Sequence, residues 1–324
     1  MIDLIQAVQS VFDKGARADL QRWLAPLPRG AFWHVISDYV FEDPKKNDTA
    51  AFVLLLHHDQ LDTILDYLQH IAPKDIKETR APAEGMLRYL NSPVVFTVSF
   101  VLDDDSRFLQ PFARLEDMVA QLEEFETIAD HMAALSGDAQ QAYFVAVRKR
   151  LTAFARDLRQ KGNQKLARKM FLVAAFAALL LDYLDQVAEP KAIGWTSDRD
   201  AMLERHDGIV WDIASLMFYA MKSSRAAPGT TTVDRPQLIH VTQSPTGDNH
   251  LDPLIRMADY MAGTVADMDL AGWGFTHPKF EAVAQACLLD APNHVVLSVA
   301  WVGDGFRVRR LAVRSDPSAD APVV

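Results

Sequence analysis

The chain has 324 residues, 49% hydrophobic and 23% charged, with a net charge of −10. That balance belongs to a globular protein with one large domain or two ordinary ones, and it excludes a chain coated in basic surface for broad nucleic-acid binding. The single cysteine, Cys287, excludes an internal disulfide and a thiolate metal cluster; without a basic, apolar leader in the first residues, the expected location is the cytoplasm, with no membrane partner.

Leu4, Ile5, Val8, Val11, Phe12, Leu20, Trp23 and Leu24 recur at helical spacing and predict one amphipathic helix over 2–25, stopped by Pro26 and Pro28. Ala31 to Phe41 is rich in β-branched and aromatic residues, and a polar turn separates it from the apolar run Ala50 to Leu56, so the two read as a β-hairpin. Leu61, Ile64, Leu65, Leu68 and Ile71 then follow a helical pattern up to Pro73, and Pro93 to Leu102 alternates as a third strand.

From Phe112 to Val187 the strand signal disappears. Two apolar stripes, one from Phe112 to Leu135 and one from Phe144 to Leu158, are punctuated by Ser136-Gly137-Asp138 and Gly162-Asn163, which predicts about three helices. The most apolar run, Met170 to Leu181, is about twelve residues against the roughly twenty that a bilayer requires, so it reads as a buried helix. Beyond Glu189-Pro190 come a strand over 191–197, a helix over about 199–222, a Gly/Thr/Pro loop over 226–236 and a strand over 237–242. A helix containing Asp259 follows. An apolar strand, His294 to Val302, a Gly303-Asp304-Gly305 hairpin turn and a strand from Phe306 to Arg314 bearing four arginines complete the pattern, and those arginines read as a solvated edge face. The boundaries define 1–111 as a helix plus the first part of an α/β core, 112–189 as an all-α insertion, 190–315 as the second part of the core with its hairpin, and 316–324 as a disordered tail.

Three acids stand where secondary structure prefers apolar residues. Asp38 follows the run Phe32 to Ser37, read as a central strand, and acids are depleted in strands. Asp198 ends the strand Ile193 to Ser197, with Asp200 two residues on. Asp259 lies in the apolar helical segment Leu254 to Gly263, where Ala262 and Gly263 on its own face allow close approach to a sheet. Each also has a structural explanation: a turn start for Asp38, helix N-terminal acids for Asp198 or Asp200, and a pair with Arg256 for Asp259. Two acids at strand ends and one on a helix over the same sheet can gather into a single pocket. Carboxylates held together repel unless a cation neutralises them, and hard oxygen ligands suit Mg²⁺ or Mn²⁺.

Ser37-Asp38-Tyr39, Asp75-Ile76-Lys77, Thr196-Ser197-Asp198 and Ala258-Asp259-Tyr260-Met261-Ala262-Gly263 occur in that order. In this the chain, over most of 31–270, resembles the domain-of-unknown-function 3800 proteins of bacteria and phages, which are grouped with the ribonuclease-H-like nucleases. Those proteins open on an Asp-Glu-Ser strand, continue through an acid-x-Lys motif and a later strand acid, and close on a Gln-x-Ala-Asp-x-x-Ala-Gly helix. The resemblance implies a ribonuclease-H-like mixed sheet flanked by helices, with the helical block as an insertion. It also implies a metal-dependent nuclease acting on nucleic acid, in which Asp38, Asp75 or Glu78, Asp198 or Asp200, and Asp259 bind Mg²⁺ or Mn²⁺ and Lys77 lies near phosphate. Tyr39 replaces the family's Glu, Arg256 its Gln, and Gln243-Ser244 an Asp-Ser pair, departures that equally suit a chain that keeps the fold without catalysis. Such a chain would be a protein-binding module, in a phage-defence or mobile-element setting that only the resemblance implies, docking a protein or a second copy through the helical block.

Other signals are weaker. His57-His58-Asp59 has the composition of a metal triplet, but neighbours on a strand point to opposite sides, so it reads as a strand end before a helix cap. Neither a Walker or Rossmann phosphate loop nor a Gly-x-Ser-x-Gly elbow is present.

Overall fold

The structure, a computed structural model, describes residues 2–43, 46–102, 110, 113–160, 162–225, 236–241, 250–270, 272–303 and 305–312. Gln243-Ser244, Asp304, most of the 226–236 loop and the 316–324 tail lie outside them. The fold is α/β, with a seven-stranded mixed sheet and flanking helices. The chain divides into two compact units: 1–6, 105–186 and 199–235 form one, and 7–104, 187–198 and 236–324 the other.

The second unit holds the sheet. Its strands are β1 (Phe32–Val40), β2 (Asp48–Leu56), β3 (Val95–Leu102), β4 (Ala192–Ser197), β5 (Gln237–Val241), β6 (His294–Val302) and β7 (Gly305–Leu311), in the order β5-β4-β1-β2-β3-β6-β7. β1, β2 and β3 form an antiparallel meander; β4 is parallel to β1 and β5 to β4, β6 is parallel to β3, and β7 returns antiparallel on β6. The interior strands are covered on both faces, which is why they read as near-continuous apolar runs. Ile36, Val53, Leu55 and Val296 of one face form a single buried cluster with α3 (Leu61–Ile71), α4 (Glu84–Leu90), α10 (Asp252–Asp267) and α11 (Pro278–Cys287). The other face carries Trp33, Phe52, Phe96 and Phe100, all fully buried, each contributing about 1.5–3 kcal/mol by leaving water.

The expected helix over 2–25 is interrupted: α1 (Ile2–Val11) and α2 (Arg17–Leu24) are joined by a widened π turn at Phe12–Ala16, an extra-residue irregularity that apolar spacing alone does not reveal. Neither α4, which is only seven residues long, nor α11 is among the helices expected from the sequence, although Phe280, Val283, Ala284 and Cys287 of α11 follow helical spacing. α11 nevertheless starts as a proline-led helix should, with Pro278 in its first turn and the Asp267 carboxylate accepting the Thr276 and His277 N–H groups at 2.9 and 3.1 Å. On β7, Arg307 and Arg309 are exposed as the edge reading requires, while Arg310 pairs with Asp19 at 2.6 Å.

The first unit is helical: α5 (Leu115–Leu135), α6 (Asp138–Arg159), α7 (Gln164–Ala188, its last residues beyond the unit), α8 (Ala201–Glu204) and α9 (Ile209–Arg225). α7 is twice as long as its apolar run, and Met170 to Leu181 are buried throughout. Asn163 caps it, its Oδ1 accepting the Leu166 N–H at 3.0 Å. The single helix expected over 199–222 is two, broken where His206, Asp207 and Gly208 take left-handed φ values of 52°, 55° and 76°. Both pieces belong with the helical block and not with the sheet, as the 190–315 boundary had it. Ion pairs hold α9 there: Arg150 to Asp212 at 2.7 Å, Lys222 to Asp185 at 2.7 Å, and Arg225 to Asp182.

Candidate metal centre

Register explains how the first two acids meet. β1 and β4 are parallel neighbours with Ser37 opposite Ser197, and the ladder is prolonged by the Asp198 N–H donating to Ser37 O at 3.2 Å. Asp38 and Asp198 are therefore the next matched pair on adjacent strands, whose spacing is about 4.8 Å. Asp259 comes from the opposite direction, on the helix α10 laid over β1 and β2. One carboxylate oxygen from each of Asp38, Asp198 and Asp259 lies within 4.8 Å of the other two; Asp38 and Asp259 are buried and Asp198 half-buried.

α10 is fixed at this height by contacts to its neighbours. At Gly263 an added Cβ would stand 2.8 Å from Cε1 of Phe280, so this small residue makes room for α11, not for the sheet as the sequence suggested. At its far end, Asn47 in the β1–β2 connection donates through Nδ2 to Val265 O at 3.2 Å and Met268 O at 2.7 Å, capping the helix carbonyls. Arg256 does not reach Asp259; it donates to Gln69 Oε1 at 2.7 Å and to Ala72 O at 2.6 Å.

The partner of Asp259 is Lys77, whose Nζ lies 2.8 Å from its Oδ1 and 3.9 Å from Oδ2 of Asp38. Lys77 sits on a short 3₁₀ turn, Ile76–Glu78, which Asp75 caps by accepting the Lys77 N–H at 2.8 Å. A residue that the sequence did not single out anchors this turn: Lys279 donates to the carbonyls of Ile76, Lys77 and Thr79 at 2.8, 3.3 and 3.1 Å. Farther along, the Tyr260 hydroxyl accepts the Ala83 N–H at 2.9 Å, at the start of α4. Nothing local in sequence marks Lys279, which is some two hundred residues from its acceptors. Asp75 is thus a capping residue outside the three-carboxylate group, Glu78 is exposed, and Asp200 caps α8 by accepting the Met202 N–H at 2.7 Å.

The electrostatics are those of crowded acids. Burial raises the Asp38 pKa, with Asp198 adding to the rise and Lys77 opposing it. Burial, then the Asp38 charge, pushes Asp259 up to about 8 against the pull of Lys77. Burial alone lowers Lys77, but Asp38 and Asp259 outweigh it and hold the ammonium above the ordinary lysine range. Asp38 Oδ2 is buried without a hydrogen-bond partner, since 3.9 Å to Lys77 is too long for one. A buried polar oxygen left unbonded costs on the order of 1–3 kcal/mol, and a cation among the three acids would satisfy it. The donor set is all oxygen, so the residues fit a hard cation.

The adjacent histidines do not form a second centre. His57 Nδ1 meets His34 Nε2 at 2.9 Å while His58 Nε2 meets the Tyr89 hydroxyl at 2.8 Å, in agreement with the strand-end reading. Comparison of the chain with protein-family models, with curated proteins and with solved structures gives no match.

Proposed function

We propose that the chain is a divalent-metal-dependent phosphodiester hydrolase of nuclease type, on a ribonuclease-H-like fold, using Mg²⁺ or Mn²⁺. The observation that carries this reading is the convergence of Asp38, Asp198 and Asp259 to within 4.8 Å around an unbonded, buried Asp38 oxygen. An antiparallel meander continued by parallel strands, with the third acid on a covering helix, supports the fold assignment. A bound divalent ion supplies the positive charge that such a group of acids requires and that developing negative charge on a phosphodiester also requires. Lys77, whose side chain is half exposed, adds a cation at the rim that can meet phosphate. The test is a nuclease assay with Mn²⁺, with and without chelator, on single- and double-stranded DNA and RNA. Wild type should cleave at least one substrate, and Asp259→Asn should lose about 10²-fold or more; equal activity in the two proteins, or none in wild type, refutes the reading.

A second reading makes the acids inert and the helical unit a protein-docking module. Exposed Leu135, Tyr143 and Val145 on α5 and α6 favour it. Calorimetry without any Mn²⁺ or Mg²⁺ heat would decide for this reading over the first.

A further inference from the structure

The ammonium of Lys77 stands where a cation bridging Asp38 and Asp259 would stand. It is 2.8 Å from one carboxylate and 3.9 Å from the other, and both acids are buried while half of the lysine side chain is open to solvent. We propose that Lys77 is a built-in counter-cation which competes with the divalent ion: it is bound by Asp259 and faces Asp38 in the metal-free protein and swings out toward solvent when metal binds. This inference rests on the metal-site reading above and concerns how that site is filled.

Three features support it. First, Lys77 Nζ already uses Asp259 Oδ1, and a metal ion bound at that oxygen excludes the ammonium by like charge. Second, the exit is open. The lysine stem is flexible and partly exposed, so withdrawal requires side-chain rotation only. Third, the backbone beneath it stays in place. Lys279 binds three carbonyls of the turn and Asp75 caps it, so the ammonium is delivered to the acids by a fixed base and returns when metal leaves. A lysine serving only as a structural ion pair would have no reason to oppose metal: its loss would destabilise the fold and leave the affinity for metal unchanged or reduced.

The experiment is calorimetric titration of the full-length chain with MnCl₂, for wild type, Lys77→Met, Lys77→Arg and Lys279→Ala. Lys77→Met should bind Mn²⁺ about three- to tenfold more tightly, because the ion no longer displaces a cation from the buried acids. Lys77→Arg, which keeps the charge, should stay within about twofold of wild type. In thermal melts, Lys77→Met should lose stability in chelator and gain more on adding Mn²⁺ than wild type does. If Lys77→Met does not fold without metal, Lys279→Ala replaces it as the test: it keeps every acid and the lysine but frees the turn, and should also bind Mn²⁺ more tightly. Mn²⁺ affinity in Lys77→Met, or in its replacement, that equals or falls below that of wild type overturns the inference while leaving the metal site standing. Absence of Mn²⁺ binding in every variant refutes the site itself.

Discussion

Asp259→Asn offers the sharpest test of the buried acids that does not depend on catalysis. Asp259 rises from an ordinary 3.8 to about 8 in the fold, chiefly through burial and then the Asp38 charge. The folded protein therefore binds a proton that the unfolded chain releases, and over that interval stability falls as pH rises, by at most about 1.4 kcal/mol per pH unit. Between about pH 5 and pH 8 the ceiling is about 4 kcal/mol, and partial ionisation beside Lys77 brings the expected change to roughly 2–4 kcal/mol. Asn carries no titrating group at this position, so the stability of the variant relative to wild type, measured by urea denaturation in chelator, should grow by that amount from about pH 5 to pH 8. Buried histidines act in the opposite sense: His34 and His240 are lowered to about 4 and His294 to about 3 by burial, so each adds stability as pH rises toward 6.5. They are common to both proteins and cancel in the difference. Saturating Mn²⁺ should reverse the sign at about pH 8, stabilising wild type and scarcely affecting the variant, since metal binds the deprotonated acids. Parallel pH curves for the two proteins in chelator would refute the reasoning.

Two further substitutions test the supports of the site. Gly263→Ala drives a methyl into the Phe280 ring and should cost about 1–3 kcal/mol in urea melts despite its better helix propensity; adding Phe280→Leu should recover part of the loss. Asn47→Ala removes two side-chain hydrogen bonds to α10 carbonyls and should cost about 1–2 kcal/mol in the same assay, leaving the secondary structure seen by circular dichroism unchanged.

Much of this architecture was legible because its signals are local. The first three strands are written in the apolar runs 31–41, 50–56 and 93–102, and Asp259 announces itself as an acid in a mainly apolar helical segment. What stayed hidden depends on distant partners. The sequence offered Asp75 and Glu78 equally as a fourth ligand, and only the cap to the Lys77 N–H shows how Asp75 is used. The pairing of Lys77 with Asp259 spans 182 residues, and the alternative of Arg256, three residues away on the helix, looked better by proximity. The break at His206-Asp207-Gly208 is of another kind: the apolar spacing lapses over Glu204–Gly208 and Asp-Gly is a turn signal, but both are short enough to be read through as the polar face of one long helix.

The side-chain tethers of the turn that carries Lys77 end on main-chain atoms: three carbonyls held by Lys279 and one N–H held by Asp75. A side chain at position 77 is therefore interchangeable without redesign of its support. The segment works as a socket, and exchanging the headgroup mounted in it gives direct control over what confronts the acids, a way to retune the chemistry of the pocket while its walls stay as they are.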